Sequence, residues 1–177
     1  MRRVVITGGP GAGKTALLRE LSARGYVTVE ESARAVIAER LAQDLSPRPE
    51  AAEFAAEIFR RDQGKYANPP PNSGLVFYDR SAVESLGMVH ETSPLPEEEL
   101  QVKLAQYTFY KTVFVLPPWQ AIYVTDAERD HSFSHAASVY VSLLRLYTRC
   151  GYLINEVPCV PVEQRVSHVL QALANDA

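Results

Sequence analysis

The sequence predicts an α/β protein, a five-stranded parallel sheet with helices on both faces, and three observations carry that prediction. Five short apolar runs, each too brief for a helix, alternate with longer segments whose apolar residues recur at helical spacing. The runs are apolar nearly throughout rather than at every second position, the pattern of strands buried on both faces. Between the first run and the first helical segment lies a glycine-rich turn and nothing else.

That turn sits in VVITGGPGAGKTALL, where Val4 to Ile6 form the apolar run. Gly8 and Gly13-Lys14-Thr15 satisfy G-x-x-x-x-G-K-[ST], a loop whose backbone N–H groups wrap the phosphates of a nucleoside triphosphate. The expected cradle is Gly8, Gly9, Pro10, Gly11, Ala12, Gly13, Lys14, Thr15 and Ala16. Its glycines let the backbone approach an anion with no Cβ in the way. A helix starting at about Gly13 aims its unpaired N–H groups and positive dipole end at the same phosphates. Lys14 is expected at the β/γ oxygens. Thr15 is expected to hold Mg²⁺, which takes a few hard oxygen ligands beside phosphate oxygens. The stretch therefore reads as the signature of a P-loop NTPase that binds ATP or GTP with Mg²⁺.

Composition narrows the remaining classes. A chain of 177 residues reads as one domain over 1–177. A net charge of −3 argues against a nucleic-acid backbone as partner, since that needs a basic stripe. Two cysteines, Cys150 and Cys159, without C-x-x-C or histidine spacing, indicate neither a disulfide framework nor a zinc site. Gly8-Gly9-Pro10-Gly11 interrupts the first apolar run before it resembles a signal segment, and no stretch of ~20 apolar residues occurs. The expectation is a cytoplasmic protein with no membrane partner, its oligomeric state open.

The remaining elements follow in order. Ala16 to Arg24 carries Leu17, Leu18 and Leu21 on one helical face and closes at Gly25. Tyr26 to Glu30 reads as a buried strand ending in two acids, Glu30 and Glu31. Ala33, Val36, Ile37 and Leu41 mark a helix from Ser32 to about Gln43, ended by Ser46-Pro47-Arg48-Pro49. Phe54, Ala55, Ile58 and Phe59 line the next helix, from about Glu50 to Tyr66. The proline-rich stretch from Asn68 to Gly74 is a surface loop.

Leu75 to Tyr78 is a strand ending in Asp79, and Ser81-Ala82-Val83-Glu84 is a capping box that starts a helix directly after it. Pro96 with Glu97, Glu98 and Glu99 opens another helix. Thr112 to Leu116 is the fourth strand. The irregular run 117–132 has the length of a lid or binding loop. Ala137, Tyr140, Val141, Leu144 and Tyr147 have core spacing in a helix from Phe133 to Arg149, stopped by Gly151. Tyr152 to Val157 is the fifth strand. The turn Pro158-Cys159-Val160-Pro161 leads into a last amphipathic helix marked by Val162, Val166, Val169, Leu170 and Leu173.

In parallel sheets ligands bind beyond the carboxyl ends of the strands. This gathers the glycine loop, Glu30 and Glu31, Asp79 and Arg80, the 117–132 loop and the 158–161 turn along one edge.

These residues resemble the small NadR-like P-loop NTPases: the ribosylnicotinamide-kinase domain of NadR regulators and the related TRPL translocation defect proteins, which bind GTP. The matching pieces are GGPGAGKTALL, VEESAR (Val29 to Arg34), VFYDRS (Val76 to Ser81), VFVLPP (Val113 to Pro118), Arg129, Gly151-Tyr152 and VPCVPVEQRV (Val157 to Val166). The resemblance spans the chain from end to end and implies a nucleoside- and nucleotide-kinase-like core. It implies that the acid ending the second strand receives an acceptor's proton and that the D-R-S element lies by the phosphates. The 158–161 turn, with Pro158, Val160 and Pro161, resembles the loop that holds the nucleobase.

Several roles stay open at this level. Asp79 reads as an acid holding Mg²⁺ or its waters, the alternative being a helix N-terminal charge. Either Glu30 or Glu31 is the candidate base for a phosphate-accepting hydroxyl; neighbours on a strand face opposite ways, so at most one serves. Arg34, Arg80 and Arg129 are candidates for phosphate oxygens. Arg129, among Asp126, Glu128 and Asp130, is either a lid arginine or one member of a solvated charge cluster. Trp119 and Tyr123 either stack a substrate or anchor their loop. His90, His131, His135 and His168 lack ligand spacing. The resulting expectation is phosphoryl transfer from a nucleoside triphosphate to a small-molecule acceptor, with a slowly hydrolysing switch that acts on a protein partner as the alternative.

Overall fold

The computed structural model describes residues 1–71, 74–123 and 132–175. Strands β1 (Arg2–Gly8), β2 (Val27–Val29), β3 (Leu75–Asp79), β4 (Thr112–Leu116) and β5 (Leu153–Glu156) form one sheet in the order β2-β3-β1-β4-β5. Every neighbouring pair is parallel. Helices α1 (Lys14–Ala23), α2 (Ser32–Leu41), α3 (Ala51–Ala67), α4 (Ala82–Thr92), α5 (Glu97–Leu104), α6 (Phe133–Arg149) and α7 (Val162–Asn175) supply the connections and cover both faces. No described helix is long and apolar enough to cross a membrane.

Strand alternation divides the core in two. Val5 of β1, Val76 and Tyr78 of β3, and Val113 and Val115 of β4 pack with Val83, Leu86, Leu100, Leu143 and Tyr147 from α4, α5 and α6. Val4, Ile6, Phe77, Phe114 and Leu116 point the other way, onto Leu17, Leu18 and Leu21 of α1 and Val166, Val169 and Leu173 of α7. The middle positions of the central strands are apolar on both faces because both faces are covered.

The edges depart from the sequence expectation. The expected buried strand over Tyr26 to Glu30 is only Val27–Val29, half-buried at the sheet margin. β5 closes the other margin with Leu153 and Glu156 exposed. On α6 the buried residues are Ala136, Leu143 and Tyr147, while Val141, expected in the core, is exposed. Apolar residues occur on more than one face of α6, and packing against the sheet and α4 selects which face is covered. Leu41 at the end of α2 is likewise exposed.

Register places the loop and its neighbours. Ile6 pairs with Asp79, so the acid ends its strand beside the point where β1 runs into the glycine turn. Gly8 pairs with Leu116 at φ +148°, and a Cβ there would lie 2.5 Å from the Leu116 carbonyl oxygen. Glycine is thus required where β1 leaves the sheet.

Phe114 is fully buried in β4 between the sheet and its covering helices. Phe114→Ala should lower the unfolding free energy by about 3–5 kcal/mol. Urea denaturation measures this, and a loss below about 1 kcal/mol would contradict the packing described.

Candidate functional site

The glycine loop runs from the end of β1 to the N-terminus of α1. Gly13 caps α1 at φ +87° with no side-chain acceptor, and the first turn holds no acidic residue, so its N–H groups remain available to an anion. Lys14, only 6% exposed, folds back so that Nζ donates to the carbonyls of Gly8 at 3.1 Å and Gly9 at 3.3 Å. Burial, followed by the nearby charge of Arg80, lowers its pKa. The loop thus carries a cation whose hydrogen bonds go to its own carbonyls, with the charges of Glu31, Asp79 and Glu84 nearby.

Arg80 organises the acidic side of the loop. Its backbone takes φ +67°, a conformation that costs a non-glycine residue about 1–3 kcal/mol and persists only where surrounding contacts enforce it. Those contacts are visible. Arg80 Nε donates to Glu31 Oε1 at 2.8 Å, Nη1 to Glu84 Oε2 at 2.9 Å, and Nη2 to the Gly8 carbonyl at 3.1 Å. One guanidinium therefore joins the ends of β2 and β3, the start of α4 and the glycine loop. Burial opposes its charge, but Glu31, Glu84 and Asp79 outweigh burial and hold its pKa above the ordinary value.

The two candidate acids are separated in space. Glu31 is the N-cap residue of α2 and accepts from both Arg80 and Arg34, the latter through Nε at 3.2 Å. Burial alone would raise its pKa, but Arg80 and Lys14 bring it down to about 2. Glu30 is exposed, and its carbonyl accepts from Lys65 Nζ at 2.5 Å. Arg34 is only partly covered, pairs with Glu31 and lines the same cavity as Lys14.

Asp79, close enough to Lys14 to feel its charge, has Oδ1 buried and without a hydrogen-bond partner. Burial pushes its pKa up to about 6, although Lys14 pulls the other way. An orphaned carboxylate oxygen ending the strand beside the loop, with the half-buried Thr15 hydroxyl in the first turn of α1, fits a hard divalent cation. The donor types suit Mg²⁺.

Sequence reasoning passed over two members of this network. Glu84 appears there only as part of a capping box, and Ser81 Oγ does cap α4 by accepting from the Glu84 N–H at 3.4 Å. The Glu84 carboxylate meanwhile accepts from Tyr147 Oη at 2.6 Å, and Tyr147 Oη lies 2.7 Å from Ser81 Oγ. Burial and the Glu84 charge raise the Tyr147 pKa well above that of an ordinary phenol, so it stays a neutral donor. A buried polar residue among core residues is the signal that was available, but α6 and α4 are too far apart in sequence for it to name a partner.

The other candidates sit around the loop. The 158–161 turn lies between β5 and α7 at the same sheet edge, with Pro158 and Pro161 exposed and Val160 half-buried. Tyr123 packs on the loop: a Cβ at Gly11 would lie 2.6 Å from its ring, and the ring meets Phe133 edge-on at 5.3 Å. Trp119 faces the Arg165 guanidinium at 5.6 Å. Both aromatics anchor the start of the 117–132 segment. Arg129 and positions 124–131 lie outside the described residues.

From the loop a cleft of about 740 Å³ opens between α2, α3, α4, α5 and α6. Lys14, Glu31, Arg80 and Glu84 line it, and Ile37, Phe54, Ile58, Leu100 and Leu143 supply much of its apolar wall. Asp62 interrupts that wall, accepting from Ser32 Oγ at 2.5 Å, and its pKa is raised by burial. A cleft of this volume holds a small organic molecule.

Comparison with known proteins assigns the family. A family model described as an AAA domain matches residues 3–165, and the chain belongs to that family. No curated protein matches the sequence. Among solved structures, a NadR protein in complex with NR is similar at 20% identity and TM-score 0.72, over 98% of this chain and 51% of that one. A NadR protein in complex with NAD and AMP-PNP is similar at 19% identity and TM-score 0.65, over 98% of this chain and 49% of that one. This chain thus spans about half the length of the NadR chains. Deoxyadenosine kinase from M. mycoides with bound dATP is similar at 12% identity and TM-score 0.65, over 98% of this chain and all of that one. The fold is that of the P-loop kinases.

The raised pKa of Asp79 carries a prediction for the protein free of nucleotide and metal. Between its unfolded value near 3.8 and its folded value of about 6, the folded state binds more protons, so this group makes stability fall as pH rises. Asp79→Asn should therefore be more stable than the parent above pH ~6, by about 1–3 kcal/mol, with the difference vanishing toward pH ~4. Thermal melts across that range in the presence of a chelator measure it, and a gap that widens in acid would contradict the burial of an unpaired carboxylate.

Proposed function

We propose that this chain binds Mg²⁺ and a nucleoside triphosphate, ATP before GTP, at Gly8 to Thr15, and transfers the γ-phosphoryl group to an oxygen of a small molecule seated in the cleft beside the loop. One observation carries the reading. Lys14 of the loop and Glu31, the acid that follows β2, line the same cavity, so a phosphate chain and an acceptor would meet between them.

Phosphoryl transfer asks mainly for positioning and charge neutralisation. Lys14 Nζ exchanges the Gly8 and Gly9 carbonyls for phosphate oxygens, which turns a buried, weakly paired cation into a well-paired one. Thr15 and Asp79 would hold Mg²⁺, which when bound supplies positive charge at the phosphate oxygens. Glu31 accepts a hydrogen bond from the acceptor hydroxyl and aims its oxygen at the phosphorus. The new O–P bond forms as the bond to the nucleoside diphosphate breaks, and the hydroxyl proton passes to Glu31. With a pKa of about 2, Glu31 takes that proton only once the oxygen is largely bonded to phosphorus, so its part is orientation first and proton acceptance late. Arg80 fixes the carboxylate's direction while its Nη2 stays on the loop. The apolar wall keeps water from competing with the acceptor.

The decisive experiment incubates the protein with Mg²⁺·ATP or Mg²⁺·GTP and a panel of nucleosides, nucleotides and nicotinamide riboside, following product by mass. A phosphorylated acceptor is expected. Slow hydrolysis that no acceptor stimulates would replace this reading with a nucleotide-dependent switch. Lys14→Ala should abolish measurable triphosphate binding by calorimetry. Glu31→Gln should leave nucleotide affinity within a few-fold while lowering turnover by ~10²–10⁴. Equal loss of binding and turnover in Glu31→Gln would remove it from the acceptor side.

A further inference from the structure

On the opposite side of the glycine loop from the half-buried Arg80 stands a second arginine, this one buried, that the foregoing mechanism does not use. Arg165, in the first turns of α7, is 6% exposed. Its Nε is buried with no hydrogen-bond partner, and Nη1 reaches the Gly13 carbonyl only at 3.5 Å, the limit of a hydrogen bond. Among the described residues no carboxylate forms an ion pair with it. The indole of Trp119 faces its guanidinium at 5.6 Å, and a Cβ on Gly13 would lie 2.6 Å from Nη1. Arg80, by contrast, has two carboxylates and a carbonyl.

A buried cation with an orphaned donor is costly unless something supplies acceptors. At this address the missing acceptor is an anion, because Gly13 is the residue from which α1 projects its free N–H groups. Strand order says which part of the anion. Glu31, Asp79 and Arg80 follow β2 and β3 on one side of β1, whereas Trp119 and Arg165 follow β4 and β5 on the other. A γ-phosphoryl group that leaves toward the Glu31 cleft must have its nucleoside end directed toward β4 and β5.

We propose that Arg165 is a nucleotide-binding residue, steadied by Trp119 against Gly13 so that its guanidinium meets the α-phosphate end of the bound triphosphate. This rests on the nucleotide-binding role of Gly8 to Thr15 and adds a residue to it. Arginine suits the position because its planar fork serves phosphate oxygens and an aromatic face at once, which a lysine ammonium does not. The glycine at 13 is required for the same contact, since any side chain there would displace the guanidinium.

The experiment uses the full chain with Mg²⁺·ATP and Mg²⁺·ADP as probes. Trp119 is the only tryptophan, so its emission reports directly on the neighbourhood of Arg165. Fluorescence titration and calorimetry are run on the parent, Arg165→Gln, Arg165→Lys and Lys14→Ala, with melting temperatures of the nucleotide-free proteins alongside. Arg165→Gln should weaken ATP and ADP alike by ~10-fold or more, as expected for a lost charge-assisted contact shared by both. Arg165→Lys should recover part of that loss and, being the gentler change, serves if Arg165→Gln does not fold. Unchanged affinity with a lowered melting temperature would make Arg165 a packing residue and overturn the proposal, as would a loss confined to ATP. Parent binding that Lys14→Ala removes and both Arg165 variants preserve overturns this assignment alone. A parent that binds neither nucleotide overturns the loop reading, and this one with it.

Discussion

The site depends on a single half-buried guanidinium, that of Arg80. Arg80 reaches the end of β2 through Glu31, the start of α4 through Glu84 and the glycine loop through the Gly8 carbonyl. These are segments that share no continuous hydrogen-bond ladder, since parallel strands end and their connections diverge exactly where a ligand is to enter. A cation with a planar fork meets that need because each of its nitrogens serves a different segment. The left-handed backbone at Arg80 is sustained by the same contacts.

Charge balance follows from this arrangement. Lys14, Arg80 and Arg34 face Glu31, Asp79 and Glu84 in a largely buried volume, and the ionisation of Lys14, Glu31, Asp79 and Arg80 is set by burial and by their charged neighbours. Glu31, gripped by two arginines, stays ionised into acid. Asp79, with an orphaned buried oxygen, is by contrast an acid whose charge is disfavoured. Asp79 Oδ1, buried without a partner, and Lys14 Nζ, whose hydrogen bonds go to the Gly8 and Gly9 carbonyls, are thus both at the loop. Arg165 repeats the pattern across the loop. Such local dissatisfaction is tolerated because the two hydrophobic layers above and below the sheet carry the stability.

Membership of the AAA domain family and likeness to the P-loop kinases account for the shared scaffold. The cleft of this chain has an apolar wall interrupted by Asp62 and bounded by α5 and α6. A polar position in an apolar wall governs which small molecule fits, since an apolar pocket discriminates weakly while a buried hydrogen-bonding group left unmatched discriminates strongly.

The sequence by itself determined the α/β class, the strands at the sheet centre, the glycine turn and the placing of Asp79 at a strand end. These follow from local chemistry: uninterrupted apolar runs, helical spacing, and glycines where only glycine fits. It also held the helix cap at Ser81 and the core face of α1. Only the tertiary structure decided that Glu31 rather than Glu30 stands by the loop, that α6 buries Leu143 instead of Val141, and that β2 and β5 are half-exposed margins. It alone joined Glu84 to Tyr147 and Arg165 to Gly13, residues 63 and 152 positions apart. The reason is physical. Periodicity specifies that an element has an apolar face, whereas the choice of face and the pairing of buried polar groups are set by packing between elements, and nothing local in the chain records that partner.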